Sequence, residues 1–384
     1  MYSNISIYVH IPFCMSKCSY CSFVSKCASE KEIEVYFTKL TKQIEMESEQ
    51  FKGKNVETIY FGGGTPSAVS EKYICDILGL IYKKFNVTND AEISTECNPC
   101  SVNLEKLVAY KKAGFNRISF GVQNLNDECL AIIGRKHNSN MAIDAIQNAI
   151  KAGFTNISCD LLIGIPKQTT KMLLSDIRTL VNLGVKHISA YMLMLEEGTK
   201  LYEQVVINHL LEVAKDDECI NMYNKAYNYL KDNEFFRYEI SNFAKTGYEC
   251  KHNINYWDNC EYVGFGLSAH SYFDGKRIAG IEDFEKYYQY VDNLNSANVC
   301  TINENAEVLS IKQKIEETIM LGLRQTKGVN LKSLLNLGYD LLEKKKNTIK
   351  LFKEKGLIDF NSNYLFITPN NFGASNQIIL ELLP

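Results

Sequence analysis

The sequence has no run of about 18 apolar residues, which is the length that a membrane-spanning helix needs. Its first residues, MYSNISIYVHIPFC, contain no basic stretch followed by an apolar one, so we expect no secretory signal. The formal net charge is only -3, which argues against a general nucleic-acid surface. With 46% hydrophobic and 23% charged residues, the composition is typical of a soluble globular protein.

Cysteine, by contrast, is abundant, with 13 residues in a chain of 384. In a chain of this length without a secretory signal, reduced thiols and metal binding are favoured over disulfides, so we expect a cytoplasmic location. Cys14, Cys18 and Cys21 form a tight group with the spacing C-x3-C-x2-C. The other ten are scattered and are interpreted mainly as small buried side chains. They are Cys27, Cys75, Cys97, Cys100, Cys129, Cys159, Cys219, Cys250, Cys260 and Cys300.

Strand-like and helix-like patterns alternate over the first half of the chain. The apolar, β-rich runs predict strands over residues 5–10, 56–61, 91–96, 117–121, 156–163 and 186–193. Helical patterns separate them over residues 29–51, 70–85, 103–113, 139–152 and 169–183. Gly114, Gly153 and Gly184 follow three of these helices, as C-terminal glycines do. The alternation predicts an α/β fold with a parallel sheet and right-handed crossovers.

Polar residues fall where these strands end. The three cysteines follow the first strand and the turn Gly62-Gly63-Gly64-Thr65 follows the second. Glu96 ends the third, Gln123 follows the fourth and Asp160 lies in the fifth. Because sites in parallel α/β folds gather at the carboxyl ends of strands, we expect these residues to converge on one face.

The pattern changes after about residue 199, and three domains are predicted: a core over 1–199, a middle region over 200–305 and a C-terminal domain over 306–384. Residues 201–230 read as mainly helical. The last domain reads as two helices and a hairpin (356–359 and 364–368), which predicts a small winged-helix-like appendage. Its lysine-rich run at 343–346 is interpreted as a solvated helix face.

The C-x3-C-x2-C loop has three interpretations. Three thiolates on a short loop can hold three corners of a [4Fe–4S] cluster and leave one iron open for a ligand such as an amino-carboxylate. A zinc site would need a fourth ligand, for which Cys27, Cys97 or Cys100 is available. The cysteines could also be unrelated buried side chains.

The loop and its surroundings resemble a known family. C-x3-C-x2-C after the first strand, together with Tyr8-x-His10-Ile-Pro-Phe-Cys14, resembles the radical S-adenosylmethionine (SAM) branch that contains oxygen-independent coproporphyrinogen III oxidase and the HemW haem chaperones. The similarity extends over nearly the whole chain. It implies a partial (β/α)6 barrel, a [4Fe–4S] cluster on Cys14, Cys18 and Cys21, and reductive cleavage of SAM to methionine and a 5′-deoxyadenosyl radical.

The same resemblance implies which residues contact SAM or pack beside the cluster. Each of them has an ordinary alternative as a core, turn or capping residue; Glu96, for example, could simply cap a helix. The implied residues are Tyr8, Tyr20, Gly63, Gly64, Thr65, Glu96, Gln123, Arg135 and Asp160. Arg135 suits a carboxylate, since a guanidinium can bind it with two parallel hydrogen bonds. Met194 is a further neighbour of the adenine in this comparison.

Two functions within this branch compete: oxidation of coproporphyrinogen III, and delivery of haem to recipient haemoproteins. The oxidases typically carry a further cysteine where this chain has Phe23, and they have an N-terminal extension for which the first strand, beginning at about Ile5, leaves no room. His252-Asn-x-x-Tyr256-Trp257 is typical of the HemW group and contains the only tryptophan. These features favour the haem chaperone, although another radical SAM enzyme is a third possibility.

The sequence offers several candidates for the residue that binds the haem iron. His252 is the first candidate because histidine is a common axial ligand of haem iron. Alternatively, His252 fixes a loop by hydrogen bonds. His270 and Cys250 are further candidates, and His10 is expected beside the cluster. The resemblance names membrane respiratory proteins as expected recipients.

Overall fold

The computed structural model describes residues 4–295 and 306–384, so Cys300 lies outside the described residues. The six predicted parallel strands are confirmed. They are β1 (Asn4–Ile11), β2 (Asn55–Gly63), β3 (Asn86–Cys97), β4 (Arg117–Gln123), β5 (Asn156–Ile163) and β6 (His187–Met192), and they lie side by side in this order. Together with the helices between them they form an open partial (β/α)6 barrel.

The predicted helices between these strands are also present. They are α1 (Glu30–Glu47), α2 (Glu71–Lys84), α3 (Leu104–Ala113), α5 (Ser139–Lys151) and α6 (Thr170–Asn182). The sequence analysis missed the short helix α4 (Asp127–Ile132). Side chains such as those of Ser29 and Asn103 begin helices by accepting a hydrogen bond from a backbone N–H of the first turn. Gly114 ends α3 in the left-handed region, with φ at 115°.

The middle of the chain extends the main sheet at both edges. Strands β7 (Phe236–Arg237) and β8 (Asn242–Ala244) lie beside β6, and β9 (Tyr262–Phe265) pairs in parallel with β1. Antiparallel strands β10 (Ser271–Phe273), β11 (Lys276–Ile278) and β12 (Ala306–Val308) continue the sheet beyond β9. The first strand of the chain therefore lies inside a twelve-stranded sheet.

The prediction of a mainly helical segment over 201–230 holds only for its second half. Helix α7 (Lys200–Tyr202) runs into one wide turn, Glu203–Ile207, and α8 (Asp216–Asp232) begins only after an irregular stretch. His209 has a left-handed φ of 50°, which a helix does not tolerate. Ile207 and Leu210 supply the apolar pattern of a helix, but they are exposed and have no core to pack against.

The C-terminal part has a second hydrophobic core, built from residues between Ile315 and Leu382. It contains α11 (Ile311–Gly322), α12 (Leu331–Asn336), α13 (Leu341–Lys344), α14 (Lys346–Glu354) and α15 (Ser375–Leu382). The predicted hairpin is present as β14 (Ile358–Phe360) and β15 (Tyr364–Ile367), with β13 (Val329–Asn330) as a third strand. The winged-helix class and the domain boundaries stay predictions.

The inner face of the parallel strands is polar and arranged in rows. Paired residues on neighbouring strands share one face of the sheet. Ser6, Thr58 and Glu92 form the row nearest the amino ends of the strands. Tyr8 and Tyr60 lie in the next row, and His10, Gly62 and Glu96 lie nearest the carboxyl ends.

Helix α9 (Lys251–Trp257) closes the amino end of this interior. The Glu92 carboxylate accepts hydrogen bonds from the backbone N–H groups of Lys251 and His252, both at 3.2 Å. Asn255 Nδ2 donates to Ser6 Oγ at 2.8 Å. The segment that resembles the HemW group is therefore a helix that satisfies buried polar groups of three strands.

Helix α10 (Phe284–Asn293) packs on α1 and encloses a buried acid there. Glu47 is 2% exposed, and its carboxylate accepts hydrogen bonds from the Tyr290 hydroxyl at 2.6 Å and from Gln43 Nε2 at 3.2 Å. Burial raises the pKa of Glu47 to about 7. Within the described parts of the chain, no helix is both long and apolar enough to span a membrane.

We expect Glu47→Gln to stabilise the fold above neutral pH. A carboxyl whose pKa is raised on folding is protonated in the folded state and ionised in the unfolded state between its two pKa values. The wild type therefore loses stability as the pH rises from about 4.5 to about 7, by an amount on the order of 3 kcal/mol. Urea unfolding at pH 5 and pH 8 measures this, and an equal effect of the substitution at both values would contradict it.

Candidate functional site

A cavity of about 380 Å³ opens at the carboxyl ends of the parallel strands. Eleven of the twelve residues predicted to hold the cluster or contact SAM line it: Cys14, Cys18, Tyr20, Cys21, Gly63, Gly64, Thr65, Glu96, Gln123, Arg135 and Asp160. They come from five different strands and loops, and the parallel arrangement brings them to one face.

The cysteine loop connects β1 to α1 and is half-buried against the cavity. Cys14 Sγ lies 3.4 Å from Thr65 Oγ1, and Arg135 Nη1 donates to Cys18 Sγ at 3.4 Å. Burial raises the pKa of Cys14 and of Cys21, and each is raised further by the negative charge of neighbouring cysteines. Thiolates at these positions would need the positive charge that a bound metal group supplies.

The three thiols of the described structure are not gathered around a single metal ion. The described residues contain no group of three His, Cys, Asp or Glu side chains that could hold one metal ion. The zinc alternative, in which four ligands surround one ion, is therefore not supported there. A cubane cluster is bound by separate thiolates at separate corners, which suits sulfurs spread along a loop.

Five charged side chains line the cavity: Glu96, Asp160 and Arg135 in its wall, together with Lys17 and Glu196. Burial, followed by the charge of Asp160, raises the pKa of Glu96 to about 7, while the Tyr60 hydroxyl donates to Glu96 Oε1 at 3.0 Å. Burial also raises the pKa of Asp160, whose carboxylate accepts a hydrogen bond from Ser119 Oγ at 3.3 Å. Arg135 Nη2 donates to the Gly121 carbonyl at 2.5 Å, and its buried Nε has no partner.

The SAM that the sequence resemblance implies carries a positive sulfonium, a positive amino group and one carboxylate. Glu96, Asp160 and Arg135 offer this ligand groups of the opposite charge. Buried charges are tolerated when they are paired, so a ligand of this kind would relieve the raised pKa values.

Two residues of the cavity wall have a left-handed backbone. Gln123 has a left-handed φ of 64°, which is uncommon for a residue other than glycine. Gly63 has a φ of 108°, and a Cβ atom there would lie 2.5 Å from the His10 ring. The glycine turn thus lets β2 pack closely against β1, in addition to presenting backbone groups to the cavity.

Tyr8 is the one predicted SAM residue that does not line the cavity. Side chains alternate along β1, so the inward-pointing residue before His10 lies one row deeper in the barrel. Its hydroxyl is 3.1 Å from His10 Nδ1, and His10 Nε2 is 3.1 Å from the Val24 carbonyl. Tyr8 therefore supports His10 beneath the cysteine loop, where His10 was expected.

His252 lies deeper still. It is 1% exposed, its Nδ1 is 2.7 Å from Thr58 Oγ1, and its Nε2 is 3.0 Å from the Tyr256 hydroxyl. Its ring stacks on Tyr60 at 5.1 Å. Burial, with a smaller effect from Arg117, lowers the pKa of His252 to about 3. Both ring nitrogens are thus occupied, as expected if His252 fixes this region by hydrogen bonds.

The rim of the cavity was largely missed in the sequence. Phe23, Tyr191, Met192 and Met194 line its mouth and are exposed. Of these, the sequence analysis had named Met194 as a neighbour of the adenine and Phe23 as the position of a further cysteine in the oxidases. The alternation of β6 places Tyr191 on the inner face, and this signal could have identified it.

Comparisons with known proteins agree with this geometry. The radical SAM superfamily model matches residues 8–180, and the HemN C-terminal domain model matches residues 309–371. "Heme chaperone HemW" of Bacillus subtilis is 33% identical over 375 residues, which covers 97% of both chains. The protein of the same name from Lactococcus lactis is 35% identical over 350 residues, covering 91% of this chain and 86% of the relative.

The chain belongs to the HemW family of radical SAM proteins. Membership implies a [4Fe–4S] cluster and SAM, as the superfamily does. The fold is shared with coproporphyrinogen III oxidase (HemN) of Escherichia coli, with a TM-score of 0.84, 20% identity, and coverage of 100% of this chain and 90% of that one. At this identity the likeness to HemN concerns the fold alone, whereas the likeness to HemW proteins extends to the sequence.

We expect Gly63→Ala to destabilise this HemW family member by about 2 to 4 kcal/mol, because the added methyl group meets His10 and the backbone is left-handed. Gly79→Ala is the matched control. Gly79 lies in α2 with no atom within 4 Å of an added Cβ, so its replacement should stabilise the helix by about 1 kcal/mol. Denaturant unfolding of both variants measures this, and equal effects would contradict it.

Proposed function

We propose that the protein is a haem chaperone that binds a [4Fe–4S] cluster, SAM and haem, and delivers haem to recipient haemoproteins. The observation that carries the proposal is the similarity, over nearly the full length, to proteins named for haem chaperone activity. Membrane respiratory enzymes are the expected recipients, and the expected location is the cytoplasm.

In this proposal Cys14, Cys18 and Cys21 hold the cluster. Their support is the C-x3-C-x2-C spacing, the half-buried loop and the hydrogen bond from Arg135 Nη1 to Cys18 Sγ. The bound cluster supplies an open iron for SAM and the electron for reductive chemistry. Thr65 and Arg135 orient the sulfurs.

SAM would occupy the cavity beside the cysteine loop. Arg135 would bind its carboxylate, and Glu96 and Asp160 would face its positive and hydroxyl groups. Gly63, Gly64 and Thr65 would contact its methionine part, while Tyr20 and Gln123 complete the wall. Tyr8 would act indirectly, through His10. Of the two roles left open for His252, its contacts support positioning.

We expect Cys14→Ala, Cys18→Ala and Cys21→Ala each to lose the [4Fe–4S] spectrum and most of the about four irons per chain of the reconstituted wild type. Anaerobic reconstitution followed by iron and sulfide analysis measures this. Cys27→Ala is the matched control, since this exposed cysteine lies just beyond the same loop. A full iron complement in all three variants would overturn the cluster assignment.

The chaperone and the oxidase are distinguished by one assay on the reconstituted wild type. We expect stoichiometric binding of haemin, and no protoporphyrinogen when reductant, SAM and coproporphyrinogen III are supplied. Haemin binding is measured by absorption spectroscopy and the product by mass spectrometry. Catalytic formation of protoporphyrinogen would establish an oxidase, despite Phe23 and the closer sequence likeness to HemW proteins.

A further inference from the structure

Few histidines of this protein are exposed to a ligand. The chain has six histidines. His10, His137, His187 and His252 are all buried, between 0% and 6% exposed. At least one ring nitrogen of each contacts a partner inside the fold, for example Val122 O for His137 Nε2 and Ser158 Oγ for His187 Nδ1. Only His209 and His270 are exposed.

His209 stands in an exposed apolar loop, residues 206–210, which follows the wide turn after α7. Its imidazole has no hydrogen-bond partner among the described residues. The apolar side chains beside it are exposed to solvent: 61% of the surface of Ile207 is accessible, 71% of that of Leu210 and 38% of that of Val206. An apolar cluster of this kind on a surface marks a binding site for an apolar partner.

Haem is a planar apolar macrocycle whose iron takes an axial ligand and whose two propionates are negative. The 206–210 loop offers a free imidazole between apolar side chains. Lys200 and Lys215, both exposed, lie before and after the loop in sequence and carry the charge opposite to that of the propionates. The segment therefore has an imidazole for the iron, apolar side chains for the macrocycle and lysines for the propionates.

The segment is anchored at the carboxyl end of the parallel sheet, where the cavity opens. Before the loop, Leu201 N–H donates to the Ser19 carbonyl of the cysteine loop at 2.8 Å. After it, Cys219 Sγ lies 2.8 Å from the position of a Cβ on Gly164, which directly follows β5. Both ends of the segment thus lie on the same face as the cysteines.

We propose that His209 is the protein ligand of haem iron and that Ile207 and Leu210 contact the porphyrin. This inference rests on the proposed function, because it presumes that the protein binds haem. It names the residue that binds the iron and the surface that contacts the porphyrin. It also places the haem site away from helix α9, which contains the buried His252. In this inference His252 stabilises the interior of the barrel near the amino ends of the strands and does not contact the haem.

His270 is the matched alternative. It is exposed too, but its Nδ1 accepts a hydrogen bond from the Gly280 N–H at 3.3 Å. In the described part of the chain, no exposed large apolar side chain lies between Phe236 and Val308. His270 therefore differs from His209 in having a hydrogen-bonded imidazole and no exposed large apolar neighbour along this stretch of the chain.

The test is a haemin titration of the full chain with absorption and electron paramagnetic resonance spectra. His209→Asn removes the imidazole and keeps a residue that tolerates the left-handed backbone. We expect roughly tenfold weaker haemin binding or more, with loss of the wild-type ligand spectrum. His270→Asn should behave as the wild type. Leu210→Asp should weaken binding while the ligand spectrum is kept.

The outcomes separate the inference from the proposed function. If the wild type binds haemin and His209→Asn keeps its affinity and spectrum, the inference is wrong and the chaperone proposal stands. If Met194→Leu or His252→Asn loses the wild-type ligand spectrum while His209→Asn keeps it, then Met194 or His252 is the iron ligand. The inference about His209 is then overturned. If the wild type binds no haemin, the proposed function itself fails. Unchanged thermal unfolding of His209→Asn shows that a loss of binding is not a loss of fold.

Discussion

The structure depends on satisfying polar and charged side chains inside a half-open barrel. Alternation along six parallel strands turns Glu92, Arg117, Glu96 and Asp160 toward an interior that water reaches poorly, and each buried charge must be compensated. At the amino end of the strands the protein does this itself, because α9 gives its backbone N–H groups to Glu92. At the carboxyl end the protein does not fully compensate Glu96 and Asp160, and burial raises the pKa of both carboxyl groups. A positively charged ligand bound beside them would lower these pKa values.

The two ends of the interior are connected. The ring of His252 stacks on Tyr60, and the Tyr60 hydroxyl donates to Glu96 in the cavity wall. The HemW-type segment and the cofactor cavity therefore share one network of side chains, although they are some 150 residues apart in sequence. A motif that is typical of a family can owe its residues to the support of a site as well as to direct contact with the ligand.

Much of this site could be predicted from the sequence because its geometry is local. In a parallel sheet the carboxyl ends of all strands lie at the same edge. Cys14, Gly63, Glu96 and Asp160 lie in or after different strands, so their convergence follows from the alternation of strands and helices in the sequence. Features that depend on distant partners could not be predicted. The burial of His252 requires Thr58, far away in sequence, and the break at His209 arises because Ile207 and Leu210 find no core. Neither the burial of His252 nor the end of the helix before His209 can be predicted from the residues next to it in the sequence.

The parallel pairing of β9 with β1 has a consequence for the order in which the protein is assembled. A ribosome adds about 5–20 residues per second, so roughly 10 to 50 seconds pass between the synthesis of β1 and that of its partner at residues 262–265. During this time one edge of β1 is unpaired and open to association with other chains. The cysteine loop follows that same strand, so the sheet beside the loop is complete only after most of the polypeptide has been translated.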